Sequence, residues 1–220
     1  MPNNIIMADA SGYKASDWLD ATKPEGEVIF YGADPVKNGF YGRTNITSLI
    51  MPNATWISDG MMFRCSFLRK LVADEATSAG ASACEYSGLT AIALPKIRFM
   101  YTYSFCNCPN LRAADFGGTP AANEGFFRNN IFSGDPLFDT LVLRANTVWT
   151  MANIGMFSNT PFASGKSGGT LYVPQAMISA YQTANNWSTI LGYPNNSIAA
   201  IEGSQYENYY VDGRPIPTGG

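Results

Sequence analysis

Four cysteines, Cys65, Cys84, Cys106 and Cys108, are the first residues of this chain whose chemistry could exceed packing. They lie 19, 22 and 2 residues apart, with no C-x-x-C pair and no histidine anywhere to complete a zinc tetrad. The missing histidine also removes the usual general base near neutral pH, along with the Ser-His and Cys-His nucleophile pairs. Carboxylates are the next candidates. Asp74, Glu75, Glu85 and Asp115 recur along the middle of the chain, and a pair across a groove would serve as acid and base in glycoside hydrolysis. Nothing in their spacing singles out such a pair, and a solvated surface is the simpler reading. Gly165-Lys166-Ser167 resembles the end of a phosphate-binding loop. The glycine required five places earlier is Thr160, however, and Pro161 interrupts the run of backbone amides, so no cofactor, metal or catalytic residue is assigned.

Aromatic residues are better candidates for recognition. Trp56, Tyr101, Tyr103 and Trp149 miss the core register described below and fall on segments where alternate residues face solvent. Aromatic platforms suit sugar rings and protein hot spots alike, and they equally suit a packed ladder or a subunit interface.

The elements that must position these residues follow a repeat. Segments of the form apolar-x-x-apolar-x-apolar start at Ile46, Leu68, Leu89, Leu111 and Phe138, which are 22, 21, 22 and 27 residues apart. A second register precedes each start by six and three residues: Met62 and Cys65, Ala83 and Tyr86, Phe105 and Cys108, Phe132 and Asp135. The pattern predicts a coil of about 22 residues in which a short strand, a turn and a second apolar corner enclose a thin core. Coils stacked at about 4.8 Å would pair strand with strand. Cys65 and Cys108 then point inward as small core residues in a column with Tyr86 and Asp135. The fourth coil carries an insertion, residues 117–135, which reads either as a functional loop on one face or as a tolerated bulge.

Terminal segments differ in composition, as caps on such a stack must. Residues 1–44 are expected to form an N-terminal cap, with a short helix from Ser16 carrying Trp18 and Leu19 as a lid over a first strand at Val28 to Tyr31. The repeats occupy 45–165. In 166–203, Leu171 to Val173 is the last strand, and Pro174 opens a helix with Met177, Ile178 and Tyr181 on one face. Trp187 is expected to press over the last coil. Residues 204–220 read as a tail that is mobile or laid onto a neighbour.

Composition sets the outer bounds. In 220 residues, charged side chains are only 14% against an average near 25%, apolar residues are 46% and aromatics 13%, which describes a folded chain. The formal charge of −3 and the absence of a basic run argue against nucleic-acid binding. No stretch of apolar residues is long enough to span a membrane, and the N-terminus lacks the basic and apolar regions of a secretory leader.

The unit around Phe105, Cys108 and Leu111 resembles the BspA-type leucine-rich repeat of bacterial surface proteins. The ending is more specific: Thr160-Pro161-Phe162-Ala163-Ser164-Gly165, then Gly169 to Pro174, Ser179-Ala180-Tyr181-Gln182 and Asn186-Trp187. That string resembles the C-terminal cap of BspA-like proteins encoded by gut bacteria and their phages. The resemblance implies a right-handed solenoid of about five coils, mainly short β-strands, with a helical C-terminal cap. It further implies a non-enzymatic structural or adhesive role, as a phage tail fibre, appendage or capsid-surface protein located in the virion. A virion protein is assembled in the cytoplasm and needs no leader. Its expected partners are other virion proteins or sister subunits in a homo-oligomer, and a host-surface glycan or protein. A bacterial cell-surface adhesin is the alternative, and a glycan-degrading appendage a third reading. Low charge fits flanks partly buried against sister subunits, where interfaces of about 800 Å² per partner are standard.

Overall fold

A computed structural model describes residues 5–7, 26–32, 37–120 and 126–207, with residues 5–7 and 126 described by their backbone alone. The expected helix at Ser16 and the lid residues Trp18 and Leu19 lie outside the described residues. So does the middle of the insertion, 121–125.

The chain is built mostly of parallel β-strands with few helices. Strands β1 (Ile5–Met7), β2 (Gly26–Phe30), β3 (Ile46–Ile50) and β5 (Lys70–Val72) form one sheet. A second contains β7 (Ala91–Leu94), β9 (Ala113–Phe116), β11 (Thr140–Leu143), β13 (Thr170–Val173) and β14 (Ser197–Ala200). Two-residue strands β4 (Trp56–Ile57), β6 (Ser78–Ala79), β8 (Phe99–Met100), β10 (Phe126–Phe127) and β12 (Thr150–Met151) make a third. From β3 to β13, successive strands alternate between the third sheet and the other two. From β4 to β12 each strand therefore pairs with strands a full repeat away, not with its neighbours in sequence, whereas β1, β2 and β3, and β13 and β14, pair in sequence order.

Strand register follows the apolar pattern. Leu49 pairs with Leu71, while Ile92, Ala114, Leu141, Leu171 and Ile198 align across the second sheet. The five leading positions Ile46, Leu68, Leu89, Leu111 and Phe138 are all buried. In the short-strand sheet Ile57, Ala79, Met100, Phe127 and Met151 pair in turn and line the opposite wall of the same core. The period-2 alternation of strands, repeated every coil, is what places these side chains on one face. Parallel pairing at this spacing then stacks like on like: the Phe105 and Phe132 rings stack with centroids 6.2 Å apart, and Phe132 and Phe157 stack at the same distance.

The turn register departs from the sequence reading in one coil. Backbone bonds Met62 N–H to Ala83 O, Cys84 N–H to Ser104 O, Phe105 N–H to Ile131 O and Phe132 N–H to Met156 O make Met62, Cys84, Phe105, Phe132 and Phe157 equivalent. Cys84 replaces Ala83 in that column, and Ser87 replaces Tyr86 beside Cys65, Cys108 and Asp135. Tyr86 is exposed instead. The cause is a residue missing between turn and strand. Gly88 fills the shortened connection, and a Cβ there would sit 2.1 Å from Ser66 O and closer still to the Arg69 guanidinium.

At the N-terminal side, Val28 to Tyr31 does not begin the stack, because β1 pairs in parallel outside β2. At the C-terminal side, Leu171 to Val173 is not the last strand, because β14 pairs in parallel outside β13; between them Pro174 precedes a 3-10 turn at Gln175–Met177 and helix α1 (Ile178–Thr183), with Tyr181 buried. Helix α2 (Trp187–Leu191) follows, and Trp187 is fully buried against Phe157 and Tyr181. Of the expected tail, residues 204–207 are described, and Tyr206 packs with Ile201 against Ala113 and Val142 on the outer face of the second sheet. Residues 208–220 lie outside the described residues.

Candidate functional site

Three of the four aromatic residues singled out from the sequence reach solvent. Trp56 on β4 is 38% exposed, Tyr101 45% and Tyr103 41%. Phe99 shares Trp56's outward column, because Trp56 pairs with Ser78 and Ser78 with Phe99. The Phe99 ring meets Tyr101 edge-on at 4.5 Å and carries the Arg128 guanidinium 5.3 Å from its centre. An aromatic surface with a cation over one ring thus rises from the short-strand sheet and its following turn.

Trp149 does not join it. Its position in neighbouring coils holds the exposed Thr55, Thr77 and Arg98, yet Trp149 is fully buried. The C-terminal cap explains the inversion. The Trp149 backbone N–H donates to the Tyr181 hydroxyl oxygen at 3.0 Å, and Trp187 Nε1 donates to Trp149 O. With α1 and α2 seated there, the indole is covered and stacks on Phe127.

A second aromatic group was not singled out by sequence. Tyr41 stacks on Phe63 at 5.2 Å, Phe63 meets Tyr86 at 5.6 Å, and the Arg64 guanidinium lies 5.2 Å from Phe63 and 5.8 Å from Tyr86. Tyr41 and Tyr86 are both exposed. The signal was present in the spacing, since Tyr41 and Phe63, like Arg64 and Tyr86, stand one repeat apart.

Backbone conformation links the two groups. From Asn38 to Gly134 each turn has two positions in the left-handed region, and the turn around Phe157 has one. One column holds Asn38, Gly60, Ser82, Tyr103 and Asn130, the other Gly42, Arg64, Tyr86, Asn107, Gly134 and Asn159. Glycine and asparagine adopt positive φ at little cost, whereas Arg64 (φ 61°), Tyr86 (φ 58°) and Tyr103 (φ 63°) do not.

Inside the turns runs a buried polar column of Cys65, Ser87, Cys108, Asp135 and Thr160. These side chains bond to the coils themselves. Cys65 Sγ donates to Phe40 O at 2.9 Å, Cys108 Sγ to Cys84 O at 3.2 Å, and Asp135 Oδ1 accepts the Cys108 N–H at 2.6 Å. Burial pushes the Cys65 and Cys106 thiols up to about 12, and those of Cys84 and Cys108 well above their usual value. They are neutral thiols, hence poor nucleophiles. Among the described residues no three Cys, Asp or Glu side chains converge as metal ligands.

The four carboxylates do not meet in a groove. Glu75 is held by Lys96 at 2.6 Å, and Asp115 is fully buried in a bidentate pair with Arg144 at 2.6 and 2.8 Å. Gly165-Lys166-Ser167 leads into β13, not into a helix, so it lacks the N-terminal amides a phosphate loop uses. Among the described residues no helix is long and apolar enough to cross a membrane. No protein-family profile matches the chain, and no curated protein matches it.

Proposed function

We propose that the chain is a solenoid of about five BspA-type leucine-rich repeat coils with a non-enzymatic, structural and adhesive role in a phage virion, where its aromatic surface contacts a host-surface molecule or a sister subunit. The observation that carries this reading is the occupancy of the left-handed turns. Arg64, Tyr86 and Tyr103 stand where glycine or asparagine occupies the same columns in other coils. Each costs roughly 1 kcal/mol of backbone strain, while Tyr86 and Tyr103 are exposed. Strain held at exposed aromatic positions is a mark of recognition surfaces. Assignment to a phage particle rests on the likeness of the ending from Thr160 to Trp187 and on the low charge.

Mass spectrometry of purified particles tests the location: the chain is expected among the virion proteins, and its absence overturns the assignment. Adsorption tests the surface. Particles carrying Trp56→Ala with Tyr103→Gly should adsorb about tenfold less or worse, the scale of losing one aromatic hot spot. Unchanged adsorption together with unchanged oligomeric state by light scattering would remove the adhesive role. A bacterial cell-surface adhesin would keep the same aromatic surface but appear on intact cells, not in particles.

A further inference from the structure

A cavity of about 280 Å³ lies on the outer face of the second sheet, away from the short-strand sheet that carries Trp56. Its floor is three neighbouring strands, with Ala113, Thr140 and Thr170 in one register row. Arg112 and Asp139, the residues just before β9 and β11, stand at its rim, and the returning segment roofs it with Gln205 and Tyr206. Tyr172 and Tyr206 meet at 4.5 Å along one wall. The roof is fixed, not draped. Arg144, paired with Asp115, donates to Tyr206 O at 2.7 Å, and the Tyr206 phenol is hydrogen-bonded to Thr140 and Gln205.

The lining has the composition of a polyol site. Asp139 accepts the Thr140 hydroxyl at 2.9 Å but is exposed and keeps acceptor capacity free. Among the described residues neither Arg112 nor Asp139 belongs to an ion pair, although both face one cavity. One cation and one anion cancel, which disfavours a phosphate, a nucleotide or a divalent ion. A mostly polar wall disfavours an apolar ligand. What remains is a neutral molecule dense in hydroxyls with one apolar face: the guanidinium donates, the carboxylate accepts, the threonines do either, and tyrosine rings lie against C–H groups. We infer that this cavity binds a single neutral sugar residue through Arg112, Asp139, Thr140 and the Tyr172–Tyr206 pair.

The test uses the full chain and free sugars. Glucose, galactose, N-acetylglucosamine and glucuronate are titrated separately while two-dimensional NMR follows the amides of residues 112, 140, 170 and 206, with inorganic phosphate as a control. At least one neutral sugar should shift these amides with a Kd on the order of 1 mM. Asp139→Asn and Arg112→Ala should each weaken that binding about tenfold, the scale of a hydrogen bond to a charged group. Thr140→Val, which preserves shape, should also weaken it while leaving thermal stability within the range of surface variants. The inference fails if no neutral sugar moves these amides, if glucuronate or phosphate alone does so, or if binding survives all three substitutions. Trp56→Ala with Tyr103→Gly should leave sugar binding unchanged, so failure here is distinct from failure of the adhesive surface.

Discussion

Asp135 is the residue whose placement most constrains the chain's response to pH. It is fully buried, one carboxyl oxygen accepts the Cys108 N–H, and among the described residues the other has no partner. Burial holds its pKa well above the ordinary value, with only that backbone bond pulling it down. Its titratable neighbours are the thiols of Cys106 and Cys108, both neutral. The folded carboxyl therefore keeps its proton above pH ~4, where the unfolded one loses it. Stability contributed at Asp135 is complete below the unfolded pKa and declines as pH rises toward the folded one. Asp135→Asn keeps the shape and the acceptor without the ionisation. Its melting temperature should exceed that of the parent at pH 8 and approach it at pH 4. The thiols give a second expectation at this scale. Iodoacetamide at pH 8 should leave all four cysteines unmodified in the native protein and alkylate them in denaturant, read by intact mass. A mass increase in the native state would show that a thiol is exposed or ionised.

Turns, strands and the C-terminal strap are the elements whose energies separate. Tyr86→Gly relaxes a left-handed turn and loses only surface contact with Phe63 and Arg64, so urea unfolding should show stability unchanged or raised by about 1 kcal/mol. Arg144→Ala is the opposite case. It strands the fully buried Asp115 and frees the Tyr206 carbonyl, and removing one partner of such a pair costs about 3 kcal/mol. The positions of the strands were legible in the sequence because every coil repeats the same apolar triplet, from Ile46 to Phe138. The turn register was not, since one residue lost before Gly88 slides Tyr86 out of the column that Cys65 starts. Trp149 was misread for another reason: its surroundings are supplied by Tyr181 and Trp187, far along the chain, and no local period reports a distant cap. The cavity was hidden likewise, because its roof at Gln205 and Tyr206 belongs to a segment with few apolar anchors. Trp56, Tyr101 and Tyr103 were legible as outliers from a strong periodicity.

At the scale of the molecule, stability is distributed along a row of parallel strands in which each contacts mainly its neighbours, so local opening should be graded from the ends. The heaviest packing lies toward the C-terminal half. Phe132 has five aromatic rings within 6.4 Å, those of Phe105, Phe116, Phe127, Phe138 and Phe157. Phe132→Ala should cost about 3–5 kcal/mol by leaving a cavity in that stack, measured by denaturant midpoint. Hydrogen exchange should find the slowest amides in β9, β11 and β13 and faster ones in β2 and β3; uniform protection would contradict the graded picture. The tie between Arg144 and the Tyr206 carbonyl has a mechanical consequence. It anchors the returning chain on β11, two strands inside the edge formed by β14. A pull applied beyond residue 207 therefore enters the sheet in its interior and loads several strands together in shear, so the edge strand is not peeled off first.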